Sequence, residues 1–98
     1  MIRVIALAIL SIALMGATTV NSHPACPDSP EKFRAFVQAI TIDDRFVIQY
    51  YLQTGCGFMK EGMPATVLKR GTDWVKIRVE PEGFPPADIY TSPGSIIE

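Results

Sequence analysis

The chain is poor in the side chains from which most catalytic centres are built. Its 98 residues contain a single histidine, His23, and two cysteines. General acid–base and nucleophilic catalysis need a reactive group beside a base, and structural zinc needs a set of regularly spaced ligands. Asp43 and Asp44 are adjacent, and neighbouring residues do not face each other on a helix. The sequence also has no glycine-rich phosphate loop, so we expect a protein that is not an enzyme and holds no metal or cofactor.

An excess of charge of either sign is also missing. Nine basic residues stand against ten acidic ones, which gives a formal net charge of −1 at pH 7. Binding to nucleic acid depends on a basic surface that neutralises phosphate groups. We therefore do not expect nucleic acid as a partner.

The apolar run near the start, Val4 to Met15, is shorter than the roughly 20 residues that span a bilayer. Arg3 precedes the run and small residues follow it, an arrangement typical of a signal peptide. Cleavage is predicted after Ser22, and Ala17 is a competing position. Residues 1–22 are thus predicted to be a cleaved signal peptide, and the mature protein to be secreted or periplasmic without a membrane anchor.

The two cysteines, Cys26 and Cys56, both follow the predicted leader. In an oxidising compartment an even pair most simply forms a disulfide, and small domains with little core often need such a cross-link. On the chain-entropy model a bond closing a loop of this length stabilises the fold by roughly 3–4 kcal/mol. We predict a structural disulfide between Cys26 and Cys56.

A helix is predicted to start after Ser29, whose hydroxyl suits the N-cap position. Pro30 follows at the first helical position, where its missing N–H is no loss. The next apolar residues recur at the spacing of one helix face: Phe33, Phe36, Val37 and Ile40.

The following segment, residues 43–54, is consistent with two structures. Asp43 suits an N-cap and Gly55 a left-handed stop, which favours a second helix. The apolar residues between them also alternate with others as they do in a strand. The length and the two end signals favour the helix, and the strand stays as the alternative.

From Cys56 onward the pattern changes to short strands separated by turns. Strands are predicted over 56–59, 65–70, 74–80 and 87–91. Along the predicted strand 74–80, alternate residues are Trp or charged and are predicted to face solvent. The residues between them are apolar and are predicted to face the core, together with Val67 of the preceding strand: Val75, Ile77 and Val79.

The stretch Lys60-x-Gly62, then Ala65-Thr66-Val67-Leu68, a short turn and Trp74 to Val79, resembles the bacterial SH3-like domain. The resemblance covers about the C-terminal 40 residues. It implies a small, partly open β-barrel that acts by binding, outside the cytoplasm, to cell-wall glycan, peptide or protein. It implies no catalytic residue.

The expected fold class is therefore α+β, with one or two N-terminal helices packed on a small SH3-like antiparallel β-barrel. Residues 23–55 are predicted to be a helical segment tethered by the disulfide, and residues 56–98 to be the SH3-like domain. An open barrel has exposed strand edges that could pair with those of a second copy, so the sequence is consistent with a homodimer.

The expected ligand site is a groove lined by Trp74 and Tyr90 and flanked by Lys76 and Arg78, suited to an acidic or polar extended ligand. Aromatic residues are common anchors in interfaces because they bury much area at a low entropy cost. The predicted function is that of an exported, noncovalent binding domain for an envelope protein, peptide or cell-wall glycan. The alternative is a secreted inhibitor or immunity-type protein that blocks a partner enzyme.

Overall fold

The first helix begins where the sequence predicts. The computed structural model describes residues 17–19 and 23–97, and α1 spans Pro30–Thr41. The Ser29 hydroxyl accepts a hydrogen bond from the backbone N–H of Lys32 at 3.1 Å. The predicted apolar stripe is confirmed, since its central residues are buried together with the next small residue on that face: Phe33, Phe36 and Ala39.

The ambiguous segment is a helix, α2, which spans Arg45–Gln53. Its N-cap is Asp44, whose carboxylate accepts from the Val47 N–H at 3.3 Å. The prediction that Asp43 caps this helix is wrong. Asp43 has a φ of +55°, in the left-handed region, and forms the turn between the two helices. Gly55, with a φ of +110°, follows the helix as predicted.

The described residues contribute seven antiparallel strands to one sheet, in the order β3-β2-β6-β5-β4-β1-β7. They are β1 Ala17–Thr19, β2 Pro24–Cys26, β3 Gly57–Phe58, β4 Pro64–Arg70, β5 Val75–Val79, β6 Ala87–Thr91 and β7 Ile96–Ile97. A 3-10 turn, Pro93–Ser95, leads from β6 into β7.

The α+β class is confirmed, but the sheet does not close into a barrel. Strands β3 and β7 lie at its two edges, and no ladder joins them within the described part of the chain. Both edge strands have only two residues, too short to continue the sheet around to closure. The predicted antiparallel barrel is therefore replaced by an open, antiparallel sheet.

Three strands were not expected from the sequence: β1, β2 and β7. β7 has only two residues, and β1 falls inside the predicted signal peptide, most of which (1–16 and 20–22) lies outside the described residues. β2 belongs to the segment predicted as helical, yet it pairs with β3 and β6 in the middle of one half of the sheet. Segments 23–55 and 56–98 therefore build one sheet together.

The two faces of the sheet are covered by different apolar clusters. The first, the sheet core, contains the predicted inward residues of β5, with Val67 packed against them. Its buried members are Ala25, Met59, Ala65, Val75, Ile77 and Val79. The second, the helix core, lies between the opposite face and the helices, and its buried members are Cys26, Phe33, Phe36 and Cys56. Alternation along β5 thus places Val75, Ile77 and Val79 on the predicted side.

The predicted disulfide joins Cys26 and Cys56, which are 30 positions apart in the chain. Both cysteines are buried, at 0% and 5% exposure. Cys26 ends β2 and Cys56 directly precedes β3, so the bond closes a loop that contains both helices. It holds the helices against the sheet in the centre of the helix core.

An ion pair makes a second link between helix and sheet. Arg34 of α1 donates from Nε and Nη2 to the carboxylate of Asp73, with closest distances of 2.9 Å. Asp73 lies in the turn between β4 and β5. Because Arg34 and Asp73 are 39 positions apart, this contact fixes the position of the turn relative to α1.

No helix within residues 17–19 and 23–97 is long and apolar enough to cross a membrane.

Candidate binding surface

The structure brings together the four residues predicted to bind a ligand. Lys76 and Arg78 lie on β5 and point away from the sheet core, and Trp74 directly precedes that strand. Tyr90 on β6 is the register partner of Lys76. We call this side of β4, β5 and β6, opposite the sheet core, the outer face.

The two aromatic residues form one unit. The rings of Trp74 and Tyr90 meet edge to face, with centroids 5.4 Å apart. Both rings are half-buried and pack against the helix core. Each ring therefore has one side committed to the fold, and the remaining side borders the outer face.

Lysine side chains continue the surface beyond the rings. The ammonium of Lys76 lies 5.6 Å from the centre of the Tyr90 ring, within the range of a cation–π contact. Lys69 on β4 is the register partner of Lys76. Cross-strand partners share one face, and like charges there repel each other. Among the described residues neither lysine forms an ion pair.

Arg78 is already bound within the protein. Its guanidinium donates to both carboxylate oxygens of Asp88, from Nε at 2.8 Å and from Nη2 at 3.1 Å. These hydrogen bonds lower the pKa of Asp88, partial desolvation opposes the effect, and the charges of Arg78 and Lys76 add to it. Arg78 therefore differs from Lys69 and Lys76, because a new anion would compete with Asp88 for it.

The outer face thus combines two half-exposed aromatic edges with two lysines that form no salt bridge in the described part of the chain. A carboxylate is attracted by both lysines at once, and a flat or apolar neighbour of that carboxylate can contact Tyr90.

Two grooves flank the sheet. One, of about 500 Å³, lies between α1 and the Asp73 turn and is lined by Phe33, Val37 and Ser92 among others. The second, of about 460 Å³, lies near Phe84 and has an acidic rim: Glu61, Glu80 and Glu82. The acidic groove suits a cationic group, in contrast to the outer face.

A polar contact between His23 and Ser92 was also not predicted. The Nδ1 atom of His23 lies 3.0 Å from the Ser92 hydroxyl, at the rim of the first groove. A separation of 69 positions hid this pair, because no local spacing connects the two. No cluster of three or more His, Cys, Asp or Glu side chains that could hold a metal ion occurs in the described ranges.

Helix α2 presents apolar residues to solvent. Phe46 is 86% exposed, and Ile42 and Tyr50 are each 59% exposed. Of its two adjacent tyrosines, Tyr50 and Tyr51, only Tyr51 reaches the helix core, where its ring centroid is 6.2 Å from that of Phe36. No residue of α2 is buried, so this helix covers the core incompletely.

Comparisons with family models, with curated proteins and with solved structures find no match to this chain.

Proposed function

We propose that the protein is an exported binding domain that holds a carboxylate-bearing peptide or glycan of the cell envelope on its outer face. Export is supported by the signal-like start of the sequence and by the buried disulfide, which persists in oxidising compartments. An SH3-like origin of the sheet is part of the proposal, supported by the consecutive antiparallel pairing of β4, β5 and β6.

The observation that carries the proposal is the pairing of Lys69 with Lys76. The two residues lie directly across two hydrogen-bonded strands, and neither forms a salt bridge with another described residue. Their repulsion disfavours the isolated protein slightly, and a carboxylate placed between them removes it. Binding of an anion therefore relieves the repulsion between the two lysines, and binding of a neutral group does not.

The aromatic pair supplies the second part of the recognition. The Trp74 and Tyr90 rings are held by the helix core and lose little freedom when a ligand contacts their exposed edges. An extended ligand that runs along β5 places its carboxylate on the lysines and its less polar part on the rings. Arg78, paired with Asp88, limits the basic surface at its far end.

The test replaces both lysines and leaves the rings in place. Lys69→Gln with Lys76→Gln should lower affinity for purified peptidoglycan or its soluble carboxylate-bearing fragments by about tenfold or more, as expected for two lost contacts to a charged group. The remaining binding should also lose most of its salt dependence. Trp74→Ala is a poor probe, because Trp74 packs against the helix core.

Arg45→Gln with Lys60→Gln is the matched control. Both residues are exposed and lie away from the outer face, Arg45 on α2 and Lys60 before β4, and together they remove two positive charges as the double lysine variant does. Binding that falls equally in the control reflects total charge. Binding that persists in the double lysine variant contradicts the proposed site.

A second candidate function is inhibition of a partner enzyme, and the exposed side of α2 favours it. Phe46 and Tyr50 are one helical turn apart and Ile42 precedes the helix. Exposed apolar patches that include aromatic residues are common in protein interfaces. Under this reading Phe46→Ala abolishes capture of one stoichiometric partner protein, and the double lysine variant leaves that capture unchanged.

A further inference from the structure

Strand β1 is an internal strand of the sheet although it comes from the predicted leader. Its Ala17 and Thr18 are in register with Ala65 and Pro64 of β4, and Thr18 and Thr19 with Ile97 and Ile96 of β7. Within the described residues β1 is the sole strand that pairs with β7. Removal of β1 therefore separates β7 from the sheet and exposes the edge of β4.

Thr19 is the centre of this connection, at 1% exposure. Its hydroxyl donates to the Lys60 carbonyl and accepts from the Met63 N–H at 2.9 Å. Its backbone N–H donates to the Met63 carbonyl at 3.1 Å, and its own carbonyl accepts from the Gly62 N–H at 2.9 Å. These bonds pair the backbone N–H and the carbonyl of both Thr19 and Met63. Buried polar groups of this kind are costly to leave without a hydrogen-bond partner.

We infer that the leader is cleaved between Ala17 and Thr18, so that Thr18 and Thr19 remain in the mature protein as a structural strand. Ala17 is a small residue of the kind that signal cleavage requires directly before the cut. Cleavage there keeps every contact of Thr19, whereas cleavage after Ser22 removes all of them. This inference depends on the export that is part of the proposed function.

The first test is the intact mass of the protein recovered from the exported fraction, with sequencing of its first residues. The expected N-terminal residue is Thr18. A protein that begins at His23 overturns the inference and leaves export standing. A protein that still begins at Met1 overturns the inference and shows that the leader is retained after export, whereas absence of the protein from the exported fraction overturns export itself. Neither result alters the binding comparison of the lysine variants, so the two proposals fail separately.

The second test uses a substitution that affects the mature fold only when Thr19 is retained. Thr19→Val keeps the shape of the side chain and removes both hydroxyl hydrogen bonds. In exported, purified protein it should lower the midpoint of thermal unfolding by about 5 °C or more. Thr41→Val is the control, because that exposed hydroxyl bonds only to the Val37 carbonyl of its own helix.

Equal unfolding midpoints for Thr19→Val and the unsubstituted protein overturn the inference, since a residue removed by processing cannot affect the stability of the product. The N-terminus of each variant is determined in the same experiment, so a shifted cleavage position in Thr19→Val is detected directly.

Discussion

The indole of Trp74 lies directly against Gly71, so closely that a β-carbon on Gly71 would overlap the ring. The Gly71 N–H also donates to the Trp74 carbonyl at 2.9 Å, which closes the turn between β4 and β5. The space left by the missing side chain is therefore what allows Trp74 to fold back over the turn and to meet Tyr90.

Gly71→Ala should displace Trp74 and destabilise the fold by about 1–3 kcal/mol, the range for overpacking a filled site. The indole cannot simply move aside, because it packs against Tyr90 and the helix core. Urea unfolding followed by tryptophan fluorescence measures both the stability and the environment of the ring. Gly57→Ala is the control, since a β-carbon at Gly57 has no neighbour within 4 Å. Equal stability of the two variants would show that Trp74 does not need the gap at Gly71.

Phe36 and Phe46 make a matched pair for the helix core. Phe36 is fully buried and contacts the rings of Tyr51 and Phe58, whereas Phe46 is 86% exposed. Phe36→Ala should cost about 3–5 kcal/mol, since it leaves a cavity, and Phe46→Ala should change stability by less than about 0.5 kcal/mol. Chemical denaturation of both variants checks this. A large loss of stability in Phe46→Ala would mean that α2 is covered in solution.

The disulfide should supply much of the stability of the domain. Replacing both Cys26 and Cys56 by alanine should lower the free energy of unfolding by about 3–4 kcal/mol for a loop of this length. Thiol titration of the unsubstituted protein after denaturation should find no free thiol before reduction and two after it. Free thiols in protein from the exported fraction would contradict the bond and weaken the case for an oxidising compartment.

The pair of Arg34 and Asp73 should make stability depend on pH in the acidic range. Hydrogen bonds from Arg34 lower the pKa of Asp73 below its ordinary value of 3.8, against a smaller desolvation effect. The stabilising contribution is therefore complete above about pH 4 and is lost as pH falls through the folded-state pKa. Hydrogen bonds from Arg78 lower the pKa of Asp88 in the same way, so this pair contributes to stability with the same dependence on pH.

Asp73→Asn should flatten the pH profile of the unfolding midpoint below about pH 4 without abolishing its slope, since Asp88 still contributes. Arg34→Gln should have the same effect, and combining the two substitutions should add little, because they remove one interaction. Additive effects of the two substitutions would show that the residues act independently.

Local signals were sufficient for much of the fold. Ser29 and Pro30 marked the start of α1, and the alternation along β5 gave its buried face. The pairing of Cys26 with Cys56 followed from their being the only cysteines. Such features depend on neighbours in the chain or on a count, and they need no knowledge of the topology. The N-cap of α2 was wrongly assigned to Asp43, because two adjacent aspartates suit an N-cap equally well from sequence alone.

The sequence suggested four residues of the candidate site but not Lys69, and it said little about their environment. The four residues of the outer face come from two neighbouring strands whose alternation was visible. The partners of those residues were not: Asp88 on Arg78, Lys69 across from Lys76, and the helix core beneath Trp74. Each of these contacts depends on strand register or on the docking of a helix, which no short stretch of sequence encodes.

The sequence by itself determined the α+β class, the first predicted helix, the disulfide and which side of β5 is apolar, because hydrophobic periodicity, capping and cysteine count are local properties. Only the tertiary structure decided that the sheet stays open, that Thr19 is buried between β4 and β7, and that one face places Lys69 opposite Lys76 beside two aromatic rings. These outcomes depend on contacts between residues far apart in the chain, whose free energies are set by strand order and register.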